Sequence, residues 1–151
     1  MLKKQKIYFS LISFSCLLFF SFAGQSVVQA NEKRFTPTIE VSYYMSEANL
    51  ALESKDYQKS IYFLEKASKF GYPEAQMNLG LLYKNGLGVL KDDNQAIYWL
   101  KLSADKHFPR GCYELALMYK EKEELMEANF WFNKAYQYGD IELRKLVDLN
   151  T

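Results

Sequence analysis

The residues that could support metal or nucleophilic chemistry are few in this chain of 151 residues. It has a single histidine, His107, and two cysteines, Cys16 and Cys112. A catalytic zinc ion needs three protein ligands, and a nucleophilic serine or cysteine needs a base together with a residue that orients the base. Neither set is evident in the sequence. The residue types therefore predict no metal, no cofactor and no enzymatic activity.

His107 and Cys112 both have simple structural interpretations. His107 lies in a predicted turn, at the position that Gly71 holds one repeat earlier, and is expected to be a surface or capping residue. Cys112 lies in a predicted helix. If Cys16 is removed with the N-terminal segment, no internal disulfide can form. We interpret Cys112 as a small residue that fills the core, with a reactive or intermolecular thiol as the alternative.

Two further motifs resemble chemical sites only in part. Gly86-Leu87-Gly88 has two of the three glycines of a dinucleotide-binding loop, and it lies between predicted helices instead of after a strand. Asp92 and Asp93 are adjacent carboxylates, but such pairs are common at the start of a helix, where they cap free N–H groups. We interpret the glycines as an interhelical turn and the aspartates as a cap.

Helical periodicity extends along the chain from Ile39. Apolar residues three and four apart predict seven helices, over residues 39–55, 57–70, 73–84, 93–106, 109–120, 123–138 and 140–149. Asp56 is placed to cap the second helix, Gly71 to follow it in a left-handed conformation, and Pro73 to open the third. The expected fold class is all-α.

Two stretches of the chain, Tyr72–Lys84 and Phe108–Lys120, have the same residue order 36 residues apart. Each has an aromatic residue and Pro at its start, small residues and Leu in the middle, and Tyr-Lys at its end. Self-similarity at this period is typical of a solenoid of helical hairpins. Gly80 lies inside one of these helices, where glycine costs about 1 kcal/mol relative to alanine, so we expect a close helix–helix contact there.

The second helices of the hairpins align as well. Phe63, Trp99 and Trp131 share one position, and small residues flank it. We expect these aromatic side chains to act as wedges between stacked hairpins. The predicted architecture is an α/α superhelix of about three helix-turn-helix repeats plus a C-terminal capping helix.

The second unit resembles a Sel1-like repeat. The matching segments are Lys66–Gln76, Leu79-Gly80, Tyr83, Gly86–Val89, Asp92 and Ala96–Lys101. The first unit is closer to a tetratricopeptide repeat. The third departs from the pattern because Gly111 and Cys112 replace Ala and Gln, and no G-x-G-V turn follows Lys120. The resemblance, over about residues 40–149, implies a protein-interaction scaffold, and signal-bearing bacterial members are typically periplasmic or secreted.

The resemblance also implies where a protein or peptide partner binds. In such superhelices the first helix of each hairpin lines the concave face, where Met, Tyr and Leu would offer apolar contacts and Lys84 and Lys120 would hold acidic groups. The positions of this sequence that match the face are Met45, Asn49, Glu74, Met77, Leu81, Lys84, Arg110, Tyr113, Leu117 and Lys120.

The N-terminus has the pattern of a signal peptide over residues 1–30. A short basic segment precedes an apolar run over 7–22, which is shorter than the roughly 20 residues of a membrane-spanning helix. We expect cleavage after Ala30, with Ala23 as the second choice and an uncleaved anchor as the alternative. Residues 31–38 would form a flexible lead-in and 39–149 the repeat domain, without a stable membrane span, in the periplasm or outside the cell.

The charge of the mature chain argues against a nucleic-acid partner. Residues 1–30 contain three lysines and no acid, which leaves 19 − 3 = 16 basic and 18 acidic residues in the remainder. A slightly acidic domain has no electrostatic attraction for phosphate backbones. Besides an exported interaction scaffold, the sequence leaves open a peptidoglycan-related binding protein or enzyme of the cell envelope, and a secreted effector or inhibitor.

Overall fold

A computed structural model describes residues 38–139 and 141–150. The chain divides into two units, Met1–Ile39 and Glu40–Thr151. The predicted signal peptide and residues 31–37 of the predicted lead-in lie outside the described residues.

The described residues form seven helices and no strand, which confirms the all-α prediction. Each predicted helix is present, and its ends agree with the prediction to within two residues. The helices are α1 over residues 38–53, α2 (Tyr57–Lys69), α3 (Pro73–Asn85), α4 (Asp93–Asp105), α5 (Pro109–Glu121), α6 (Leu125–Tyr138) and α7 (Ile141–Asp148).

Local signals define the helix ends as the sequence predicts. Asp56 caps α2 by accepting a hydrogen bond from the backbone N–H of Lys59 at 3.1 Å. Asp92 caps α4 in the same way, from the N–H groups of the second and third residues after it. Gly71 and His107 follow α2 and α4 with φ of 74° and 58°, so His107 ends its helix in the left-handed conformation of the matching glycine.

The helices pair into hairpins that stack on one another. The closest packing joins α3 to α4 and α5 to α6, and the pairs α2–α3 and α4–α5 connect neighbouring hairpins. One buried cluster lies between α1, α2 and α3, and a second lies between α4, α5, α6 and α7. This arrangement is the predicted α-solenoid.

Gly80 marks the closest approach within the second hairpin. A Cβ atom on Gly80 would lie 2.7 Å from Cγ of Leu100 and 3.1 Å from the backbone oxygen of Ala96. These distances are shorter than van der Waals contact, so α4 approaches α3 to a distance that only glycine allows. In the third hairpin Ala116 stands at this position and is fully buried, which shows that small size is what the position requires.

The most deeply buried large side chains of the second helices are not the tryptophans. Leu64, Leu100 and Phe132, each one residue after the predicted wedge, are at most 1% exposed. Trp99 and Trp131 are half-buried and pack against the edges of the two core clusters. Leu64, Leu100 and Phe132 therefore fill the core position of the second helices, and the indole rings of Trp99 and Trp131 cover the sides of the core.

The last helix, α7, occupies the place of the first helix of a fourth hairpin. In the third hairpin the Sγ atom of Cys112 donates to the backbone oxygen of Ala104 at 3.8 Å. Thirty-two residues later, Nε of Arg144 donates to the backbone oxygen of Tyr136 at 3.0 Å. Trp99 and Trp131 are also 32 residues apart, and this spacing relates both members of the two pairs, so α7 packs on α6 as α5 packs on α4.

In the part of the chain that the structure describes, no helix is both long enough and apolar enough to cross a membrane.

Replacing Gly80 tests the close contact in the second hairpin. Although alanine favours a helix over glycine by about 1 kcal/mol, we expect Gly80→Ala to lower the free energy of unfolding by about 1–3 kcal/mol, because the new methyl overlaps Leu100. Urea unfolding measures the change. Ser46→Ala, at an exposed position of α1, is the control and should leave stability unchanged or slightly raised. Equal stability of Gly80→Ala and the wild type would contradict the close contact.

Candidate functional site

A groove of about 520 Å³ lies between α3, α5 and α7. On each helix the lining includes residues one turn apart, such as Met77 and Leu81, Arg110 and Glu114, and Glu142 and Leu146. The lining comprises Met77 and Leu81 of α3, Phe108, Pro109, Arg110, Tyr113 and Glu114 at the start of α5, and Glu142, Leu143 and Leu146 of α7. The groove is thus formed by three successive first helices of the stack, with largely apolar walls.

Four of the ten residues predicted for the partner-binding face line this groove: Met77, Leu81, Arg110 and Tyr113. They come from two repeats, so the structure brings matching positions of successive hairpins together. All four are half-buried except Arg110, which is exposed at the rim.

The other predicted apolar and neutral positions lie elsewhere. Met45 is 7% exposed and packs in the core between α1, α2 and α3, so its assignment to an accessible face was wrong. Leu117 is half-buried against the second core cluster. Asn49 is exposed and Glu74 half-buried, and neither lines the groove.

The two predicted cations are already engaged. Nζ of Lys84 lies 2.7 Å from the carboxylate of Glu121, and the Lys84 side chain is only 18% exposed. Nζ of Lys120 donates to the backbone oxygen of Asn150, just beyond α7. The expectation that both lysines are open to an acidic partner is therefore corrected: each has an intramolecular acceptor.

Tyr113 connects α5 to the turn after α7. Its hydroxyl accepts a hydrogen bond of 3.0 Å from the side-chain amide of Asn150, and its ring packs edge-on against Phe132 at a centroid distance of 5.8 Å. Burial, and then the charge of Glu114, raise the pKa of the Tyr113 phenol above its usual value. Tyr113 therefore stays neutral and holds α7 beside the groove.

Glu114 is the one carboxylate of α5 that lines the groove. It is half-buried and forms neither an ion pair nor a hydrogen bond through its side chain with any described residue. Burial raises its pKa, an effect that Lys84 and Arg110 oppose and Glu121 reinforces. The groove therefore contains a partly desolvated acid that Lys84 and Arg110 influence at a distance but that forms no direct ion pair with a described residue.

Sequence reasoning missed Glu114 and the whole wall formed by α7. The signal for Glu114 was its spacing of four residues from Arg110, which places both on one helix face. The signal for α7 was the 32-residue period, which aligns Ile141 with Pro109 and so marks α7 as another first helix of the stack.

The glycine motif and the paired aspartates have structural roles, as expected. Gly86 ends α3 with a φ of 64°, and a Cβ on Gly88 would lie 2.6 Å from Cβ of Tyr57. The Gly88 carbonyl also accepts a hydrogen bond from Gln58. The turn is thus pressed against α2, which explains its glycines without a phosphate ligand. In the described part of the chain, no three His, Cys, Asp and Glu side chains are grouped as metal ligands.

Cys112 is a free, fully buried thiol. Burial raises its pKa to about 11, against a smaller opposing effect of Lys134. The reactive form of cysteine is the thiolate, so a thiol with this pKa is unreactive at neutral pH. This agrees with the interpretation of Cys112 as a residue that fills the core.

The family model of the Sel1 repeat matches residues 43–71 and 73–108. A Sel1 repeat protein from Oxalobacter formigenes, solved by crystallography, superposes with a TM-score of 0.61 at 20% sequence identity, over 85% of this chain and 57% of that one. A protective antigen present in uropathogenic Escherichia coli strains, described as displaying an SLR fold, gives a TM-score of 0.59 at 26% identity, over 68% of this chain and 24% of that one.

The chain therefore spans little more than half of the first of these structures and about a quarter of the second. At 20% sequence identity, the similarity to the Oxalobacter formigenes protein shows a shared fold only. No curated protein matches the chain.

Because Cys112 is buried, we expect its thiol to react slowly with alkylating reagents in the folded chain. In a Cys16→Ser chain at about pH 8, roughly one thiol in a thousand would be ionised at a pKa of about 11, so alkylation by iodoacetamide should be far slower than in the same chain unfolded in urea. Mass spectrometry over a time course measures the two rates. Comparable rates in the folded and unfolded chain would show that Cys112 is accessible and would favour the alternative of a reactive thiol.

Proposed function

Because this chain is a Sel1-repeat protein, we propose that it is an exported, non-catalytic scaffold that binds a segment of a partner protein in the groove between α3, α5 and α7. Sel1 repeats commonly mediate protein–protein interaction. The observation that carries the proposal for this groove is its construction from three successive first helices, the surface that forms the concave side of such superhelices.

The size and lining of the groove support a peptide segment as the occupant. Ligand pockets commonly have volumes of roughly 300–1,000 Å³ and mostly apolar walls with a few polar groups. At about 520 Å³ the groove accommodates a few side chains of a bound segment, not a folded domain. Met77 and Leu81 offer flexible apolar surface, and Arg110 and Glu114 offer charges that orient the segment.

The chain's own turn after α7 supports this choice as well. Lys120 binds the main-chain oxygen of Asn150, and Tyr113 binds its side-chain amide. Side chains of α5 thus already hold a piece of polypeptide through one main-chain carbonyl and one side-chain amide. A partner segment beside this turn would meet further side chains of the same helix face.

A single surface change should remove partner capture. Leu146 lines the groove and is 46% exposed, so Leu146→Arg places a long charged side chain in the groove without emptying the core. We expect the variant to lose the protein that wild-type chain retains from an envelope extract, with an unchanged melting temperature. Pull-down followed by mass spectrometry measures retention.

The turn directly after α7 supplies the matched control for this experiment. Leu149 is 81% exposed and does not line the groove, so Leu149→Arg adds the same charge nearby and should retain the partner. Retention of the partner by Leu146→Arg, or its loss from both variants, would remove the groove as the binding site.

Export is the second part of the proposal and rests on the N-terminal sequence. Three lysines, an apolar run over residues 7–22 and Val28-Gln29-Ala30 have the order of a cleavable signal peptide. We expect N-terminal sequencing of the exported protein to start at Asn31. A start at Met1 would instead support the alternative of an uncleaved anchor.

A further inference from the structure

We infer that the segment bound in the groove carries a lysine or arginine between apolar residues, and that this side chain pairs with Glu114. The inference deepens the proposed function and rests on it. It reverses the expectation from sequence, in which Lys84 and Lys120 select an acidic partner.

The first step concerns which charges of the surface are available. Lys84 is paired with Glu121 at 2.7 Å, and Lys120 is bound to the oxygen of Asn150. On α7, Nζ of Lys145 lies 3.0 Å from the carboxylate of Glu142, the other acid of the lining. Lys84 and Lys120 already have intramolecular acceptors. Glu142 has a donor and its side chain is 74% exposed, so an ion pair between Glu142 and a partner would be weakened by solvent.

The second step concerns what remains, namely Arg110 and Glu114, which are one helical turn apart on α5. Neither forms an ion pair with a described residue. Arg110 is exposed at the rim, where an ion pair is weakened by solvent and salt. Glu114 is half-buried, where a charge-assisted hydrogen bond is stronger and an unmatched carboxylate is unfavourable. Complementarity therefore favours a cation at Glu114 over an anion at Arg110.

The third step concerns the neighbours of the cation. Met77 and Leu81 of α3 and Leu146 of α7 line the same groove as Glu114. A lysine or arginine side chain can lay its methylene groups along such apolar walls while its charged end reaches the carboxylate. An acidic side chain is too short to use the walls in this way and would be repelled by Glu114.

The raised pKa of Glu114 gives the interaction a pH dependence. The groups that face Glu114 are Lys84, Arg110 and Glu121, with Glu142 across the groove. Because burial raises the pKa of Glu114, its carboxylate takes up a proton at a higher pH than an ordinary glutamate does. Binding of a cationic segment should therefore be strongest above this pKa and weaken as the pH falls through it.

Peptide arrays test the inference directly. Three sets of peptides of about twelve residues share the same varied apolar frames and differ only at a central position, which is lysine, glutamate or methionine. We expect the full chain to bind the lysine set best. Glu114→Gln keeps the shape of the side chain and should weaken the lysine set by about tenfold or more, with little effect on the methionine set.

Matched variants separate this inference from the proposed function. Glu127→Gln removes an exposed acid of α6 that does not line the groove and should keep the preference for lysine. The inference is overturned if the lysine and methionine sets bind equally, if the glutamate set binds best, if Glu114→Gln keeps the lysine preference, or if no set binds. In each of these cases the capture experiment with Leu146→Arg still reports independently whether the groove binds a partner.

Discussion

The separation of the two helices in a hairpin is the constraint on which the stack depends. At Gly80 the backbone of α3 meets Leu100 and the carbonyl of Ala96 with no space for a side chain. The hydroxyl of Ser103 donates to the carbonyl of Pro73 at 2.7 Å, which joins the same two helices at the other end. Once each pair is held this closely, the first helices of successive hairpins are also brought within side-chain reach, and the groove between α3, α5 and α7 follows.

Most of the fold could be predicted because its determinants are local. Asp56 and Asp92 accept hydrogen bonds from N–H groups two or three residues away, and the prolines that open α3 and α5 act on their own backbone. Such signals can be recognised in a few residues of sequence. The repeat then adds the long-range information, because residues at matching positions of a solenoid pack in matching ways. His107, with a φ of 58° where the earlier hairpin has Gly71, shows that the backbone pattern persists even where the residue type changes.

The candidate site was harder to predict because its properties depend on pairs of side chains far apart in sequence. Lys84 and Glu121 are 37 residues apart, as are Tyr113 and Asn150. Nothing local in the sequence shows that Lys84 is neutralised or that Glu114, four residues from Arg110, forms no ion pair with the residues that the structure describes. The same list of charged residues therefore predicted an acidic ligand, whereas the arrangement of those residues favours a basic one. Met45 was misplaced for a related reason, since burial at a repeat position depends on the neighbouring hairpin.

The role of α7 links the stability of the stack to its function. This helix is short and rests on the core through Leu143 and Val147, while Arg144 donates to the carbonyl of Tyr136 in α6 and Asn150 donates to Tyr113. It also supplies one wall of the groove, so the groove has its full lining only when α7 is docked. A segment bound between Met77 and Leu146, as we propose, would make contacts that an undocked helix cannot provide, and its binding free energy would stabilise the docked state. The helix that covers the side of the third hairpin is therefore also the helix that completes the proposed binding site.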